Sequence, residues 1–102
     1  MGEATSFMLP RFDATLKPEL TGLRHPVNTY LRENVYYTFA NFNDEATYAN
    51  LVAQVGVGRL AFSTDHPFGS MNAARTFLDN LPLSQEDRAA ISHRNAEQLL
   101  AL

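Results

Sequence analysis

The sequence predicts an α/β fold built around a strand–helix–strand unit with two parallel strands. Three observations lead there. Residues Val35 to Ala40 are aromatic and β-branched, with both parities apolar, as in a parallel strand covered on both faces. Leu60 to Thr64 form a second short apolar run, which ends in a carboxylate, Asp65, and a turn containing Pro67 and Gly69. Between the runs, Tyr48, Leu51, Val52 and Val55 stand at i, i+3, i+4 and i+7, one apolar stripe of a helix. Residues 35–65 thus have the length that a right-handed crossover requires.

The remaining elements follow in order. Residues 3–17 read as helix, with Phe7, Met8, Phe12 and Leu16 at near-helical spacing and Pro10 as a kink or restart. Lys17-Pro18 and Gly22 to Pro26 mark a connection, and Asn28 to Glu33 supply one or two helical turns. The crossover helix runs from about Asp44 to Val55, capped by Asn43 or Asp44 and ended by Gly56 or Gly58. Ser70 caps a helix to about Asn80, with Met71, Ala74, Leu78 and Leu81 on one face and Pro82 as its stop. Ser84 opens another, with Glu86 and Asp87 complementing the dipole and Ala90, Ile91, Leu99 and Leu100 as its apolar face. A break falls at His93 to Asn95. Two strands alone make no stable sheet, so the chain is expected to belong to something larger or to pair with a second copy.

Composition narrows the function. The chain has 102 residues, one small domain or part of one, and 45% of them are hydrophobic, which argues against disorder. A net charge of -3 without a basic patch gives no support to nucleic-acid binding. The absence of cysteine excludes disulfides and thiolate metal sites. No apolar run approaches the ~20 residues of a membrane span. Met1 to Thr5 lack the basic and apolar regions of a signal peptide, so a cytoplasmic protein with no membrane partner is expected.

Among candidate chemical groups, Asp65 stands out. Chemistry in α/β folds gathers at the carboxyl ends of parallel strands, so Asp65 is either a catalytic or metal-binding acid or a local cap of its turn. A catalytic zinc site needs about three protein ligands. His25, His66 and His93 form no H-x-H or H-E-x-x-H pair, so Asp65 alone cannot hold a divalent metal tightly. His66 is adjacent to Asp65 and reads first as a turn residue; His25 and His93 read as loop and helix-junction residues. Gly56-Val57-Gly58 lies after a helix rather than after a strand, so it is no dinucleotide fingerprint. Glu3 and Arg11 are eight residues apart on one helix and so share roughly one face. By themselves they are ordinary surface charges, although a carboxylate can tune a base and a guanidinium can bind a carboxylate in bidentate fashion.

Four segments then combine. Met1-Gly2-Glu3 followed by Pro10-Arg11-Phe12-Asp13 resembles the "H-M-G-E … R-I-D" region of the metal-dependent decarboxylases of the amidohydrolase superfamily. Asn34 to Phe42 is similar to their seventh barrel strand, ending T-S-G-N-F, and Arg59 to Phe68 to their eighth, R-[IL]-x-F-[SG]-[ST]-D-[YW]-P-F. Ile91 to Leu100 resembles their closing I-x-x-x-N-A-x-x-L-[LF]. The resemblance is greatest to the branch of γ-resorcylate, 2,3-dihydroxybenzoate and aminocarboxymuconate-semialdehyde decarboxylases. It implies that residues 1–102 form a single partial domain, the last third of a (β/α)8 TIM barrel. Strands 7 and 8 would be parallel, with helices 6, 7 and 8 and the C-terminal helices around them.

By the same resemblance, Asp65 is the metal-binding aspartate of strand eight, Glu3 orients the catalytic histidine and Arg11 lies near the substrate carboxylate. In some relatives that arginine enters a neighbouring subunit's site, which implies a homo-oligomer, a dimer. The implied metal is zinc or manganese, and the implied partner is a small carboxylic acid. The chain departs from the pattern in four places. The family's catalytic histidine would precede Met1, and the strand-one and strand-five metal ligands are absent. His66 replaces the usual Tyr or Trp and so becomes a substrate-side candidate; Ala40 replaces Gly. The expected function is non-oxidative decarboxylation of aromatic or related carboxylic acids, a carboxy-lyase activity, in an intact relative. This chain alone is expected to be inactive and to bind metal weakly or not at all. Two alternatives stand beside it: a metal-dependent hydrolase of esters, lactones or amides, and a truncated, non-catalytic fragment that self-associates.

Overall fold

Helix α1 spans Gly2–Thr15 in the computed structural model, which describes residues 2–102. Pro10 lies inside α1 and removes one backbone donor without ending the helix. The face that α1 buries is Gly2, Ser6 and Leu9. Phe7 and Leu16, two of the apolar residues at near-helical spacing, are exposed, Phe7 at 80%. Close approach explains the choice. The Gly2 N–H donates to the Thr38 carbonyl at 2.8 Å, and a Cβ on Gly2 would lie 2.8 Å from both Thr38 O and Leu51 Cδ2. Only glycine lets the helix reach that surface.

Helix α2 (Pro18–Thr21) is a single turn with proline at its start, closed by Gly22 at φ 70°. Helix α3 (Val27–Glu33) packs on α1. Their joint is polar: Asn28, 3% exposed, donates to the Leu9 carbonyl and to Asp13 Oδ2, each at 2.7 Å. Helix α4 (Glu45–Val55) begins at Asp44, whose carboxylate accepts from the Thr47 N–H and hydroxyl at 2.8 Å. Gly56 and a 3-10 turn, Val57–Arg59, end it. Ser70 caps α5 (Met71–Asn80), and Ser84 caps α6 (Gln85–Ala89). A π-helical turn, Ala90–Arg94, joins α6 to α7 (Asn95–Leu100), so the expected break is a widened turn rather than an interruption. Met71, Leu99 and Leu100, expected on buried faces, are more than half exposed.

The two expected strands are present as extended segments without a ladder. Among the described residues no strand forms. Two extended segments, 35–40 and 60–64, meet at one parallel bridge, Tyr37 with Leu60. The Tyr37 N–H donates to Arg59 O at 2.8 Å, and the Ala61 N–H to Tyr37 O at 2.9 Å. Direction and pairing partner are as expected, whereas a continuous ladder is absent. On the outer sides of the two segments other elements take the backbone groups: Thr38 O accepts from Gly2, and the Phe62 N–H donates to Ile91 O at 2.9 Å. A core of Tyr37, Phe39, Tyr48, Leu51, Leu60, Leu78, Leu81 and Ile91 covers the bridge. Phe39 meets Tyr48 and Phe77 edge-on, at 5.5 and 5.9 Å between ring centroids. Arg88 donates to the carbonyls of Leu78 and Leu81, which closes the C-terminal end of α5.

The cap of α4 gives a pH-dependent prediction. Hydrogen bonds from the Thr47 backbone N–H, then from its hydroxyl, hold the Asp44 carboxyl below its usual range. A lowered carboxylate pKa contributes stability above the unfolded-state value, and that stability is lost as pH falls through the folded-state value. Asp44→Ala should lower stability at neutral pH, measured by urea unfolding. The difference from the parent should shrink as the pH is taken below the ordinary aspartate range.

Candidate active site

Asp65 leaves the second extended segment in the left-handed region, φ 59°, with its residue exposed to solvent. Aspartate and asparagine are the non-glycine residues that take this conformation most readily. The Gly69 N–H closes the turn on Asp65 O at 2.8 Å. A Cβ on Gly69 would stand 2.2 Å from the Thr64 carbonyl oxygen, so the turn accepts no side chain there. The His66–Pro67 peptide is cis, and His66 and Phe68 are exposed.

Asn41 ends the first segment in the same way, at φ 63° and exposed. Its Oδ1 lies 3.3 Å from the Cβ position of Gly69. The carboxyl ends of the two bridged segments are therefore neighbours, each turning through a left-handed Asn or Asp. Asn41 has no chemical signature in the sequence. Its only local signal was an Asn directly after an aromatic run, a place where a left-handed turn is common.

Glu3 occupies the first turn of α1, next to Gly2 and therefore close to Thr38. It is half-buried, and its Oε2 is buried with no hydrogen-bond partner among the described residues. Glu3 lines an open, mainly apolar cleft of about 670 Å³ between α1 and α4, with Ala4, Phe7, Met8, Ala46, Thr47 and Asn50. Asp65, His66 and Arg11 are not part of that lining. Arg11 is exposed further along α1 and does not line the Glu3 cleft. Met1, the first residue of the Glu3 motif, lies outside the described residues.

The metal expectation can be tested on the donor set. Among the described residues, no group of three His, Asp or Glu side chains could hold a metal ion. Asp65 is a single carboxylate on an exposed turn, and these residues alone do not fit a divalent metal. Among the same residues, no helix is long and apolar enough to cross a membrane.

An acid at the carboxyl end of one of two parallel-bridged segments, with a helix between them, is the arrangement of a barrel-type α/β segment. Comparison with known proteins places that segment. No protein-family model matches the chain. Over its full length it is 32% identical to a gamma-resorcylate decarboxylase of Polaromonas sp. JS666 and 33% identical to one of Rhodococcus jostii RHA1. The match covers 32% of each relative, so the chain spans about a third of the length of the curated relatives it matches. A dihydroxybenzoic acid decarboxylase from Polaromonas sp. JS666, solved with bound manganese and the inhibitor 2-nitroresorcinol, superposes with a TM-score of 0.86 at 26% identity. That match covers 97% of this chain and 31% of the other. The fold is thus that of a segment of an amidohydrolase-type TIM-barrel decarboxylase. The chain is a homologue of the gamma-resorcylate decarboxylases.

Left-handed geometry separates two substitutions. Asp65→Asn keeps a residue suited to φ 59° and should leave stability nearly unchanged. Asp65→Val should cost about 1–2 kcal/mol, the penalty for a Cβ in this region. Chemical denaturation of the two variants checks the difference.

Proposed function

We propose that this chain is the C-terminal portion, residues 1–102 as one partial domain, of a metal-dependent decarboxylase of aromatic carboxylic acids. One observation carries the reading. The whole chain is similar to gamma-resorcylate decarboxylases, and Asp65 stands at the carboxyl end of a bridged segment, where barrel enzymes place their chemistry. Asp65 serves as one ligand of a zinc or manganese ion whose other ligands come from outside these residues. His66, beside it on the exposed turn, contacts the substrate.

Glu3 holds and orients an imidazole that acts as the general acid. Its buried Oε2, without a hydrogen-bond partner among the described residues, supports this role, because a buried carboxylate oxygen is costly unless an N–H or O–H reaches it. Arg11 binds the substrate carboxylate. Its exposed place, away from the Glu3 cleft, supports service to a neighbouring subunit in a homo-oligomer. The ligand is a small aromatic carboxylic acid, and the protein works in the cytoplasm. Alone, the 102 residues are inactive, since one carboxylate does not retain the metal.

The purified chain, exchanged into manganese or zinc and then desalted, should retain far less than one ion per chain by metal analysis. It should release no CO₂ from 2,6-dihydroxybenzoate. Stoichiometric metal, or CO₂ release above the buffer control, would contradict the inactivity of the isolated chain.

A further inference from the structure

The segment that leads to Asp65 is held from behind by one unusual helical turn. In a regular α-helix the Ile91 carbonyl would accept the Asn95 N–H. Here the Asn95 N–H donates to Ala90 O instead, five residues back, within the π-helical turn Ala90–Arg94. That offset frees the Ile91 carbonyl, which accepts the Phe62 N–H at 2.9 Å. The same turn delivers the Asn95 side chain, 6% exposed. Both amide hydrogens of Asn95 are used, on Val57 O at 2.9 Å and Leu60 O at 2.7 Å. Ile91 itself is fully buried in the core that surrounds Leu60.

Three hydrogen bonds, one from the π-turn and two from Asn95 directly after it, thus fix residues 57–62, against the two that the bridge to Tyr37 provides. Phe62 is three residues from Asp65. We infer that Asn95 and the π-turn at Ile91 are a positioning device for Asp65: they set where the segment ends and hold its left-handed exit. Asn95 is a positioning residue and touches no reacting atom. The consequence for catalysis rests on the decarboxylase reading, whereas the positioning itself does not. A π-turn that carries this load is more than a packing irregularity; such turns recur near functional sites.

NMR on the ¹⁵N-labelled chain tests the inference without metal or substrate, so its failure is separate from failure of the decarboxylase reading. A left-handed Asp65 gives a strong intraresidue amide-to-Hα Overhauser signal. Asn95→Ala should weaken that signal and speed amide exchange at Phe62 by about tenfold or more, the behaviour of a locally released segment. Asn28→Ala removes a buried polar joint elsewhere, between α1 and α3, and should change neither readout. Deletion of Ser92 is the second variant. It returns the turn to regular helical spacing, so the Ile91 carbonyl is taken up within the helix. It should reproduce both changes with helix content retained by circular dichroism. Asn95→Ala and the Ser92 deletion folding with Asp65 and Phe62 unchanged would overturn the proposal. In the unaltered chain, the Phe62 amide should exchange at least about tenfold more slowly than the Ser63 amide. Equal rates would overturn the proposal even if neither variant folds.

Discussion

Two short extended segments joined by a single bridge must still find partners for their backbone groups, because an unpaired buried N–H or C=O is costly. That constraint organises the molecule. The first segment receives the N-terminus of α1 through Gly2 and Thr38. The second receives the C-terminal helix through Ile91 and Asn95. Helices here do more than cover a sheet; they complete its hydrogen bonding. Each docking also fixes the end of a segment. The α1 contact sets Glu3 near the end of the first segment. The C-terminal contact holds the second segment as it turns out at Asp65.

What the sequence revealed was what local chemistry determines. The caps at Asp44, Ser70 and Ser84 were legible because a side-chain oxygen three residues ahead of a free N–H needs no tertiary context. The stripe of α4 was legible in part: Tyr48 and Leu51 are buried, while Val52 and Val55 pack at its margin. The widened turn near His93 was visible as an irregularity, although its purpose was not. Apolar size and spacing alone do not locate the buried face of α1. Close backbone approach selected Gly2 and Ser6 over Phe7. The strands were over-read for a similar reason. Residue type signals a half-buried extended chain, while a ladder depends on neighbours that propensity cannot supply.

At the site, Asp65 was legible as an acid at the end of a segment, but its left-handed backbone was not. Asn41, its counterpart on the first segment, shows itself through its own left-handed backbone and its place beside Gly69. The eight-residue spacing of Glu3 and Arg11 suggested one shared face, and the actual helix leaves one half-buried in a cleft and the other exposed. Helical phase says which residues are near each other. It does not say which cleft they enter. The lone carboxylate at Asp65, without a group of three ligands among the described residues, fits a chain that spans about a third of the length of the relatives it matches.

The most direct measurement replaces the matching third of the Polaromonas gamma-resorcylate decarboxylase with residues 1–102 of this chain. CO₂ release from 2,6-dihydroxybenzoate is then assayed with manganese bound, for the chimera and for its Asp65→Asn form. The chimera should decarboxylate the substrate and lose that activity on the single change at Asp65, with folding and oligomeric state retained. A folded chimera that releases CO₂ equally well with asparagine at position 65 would contradict this expectation.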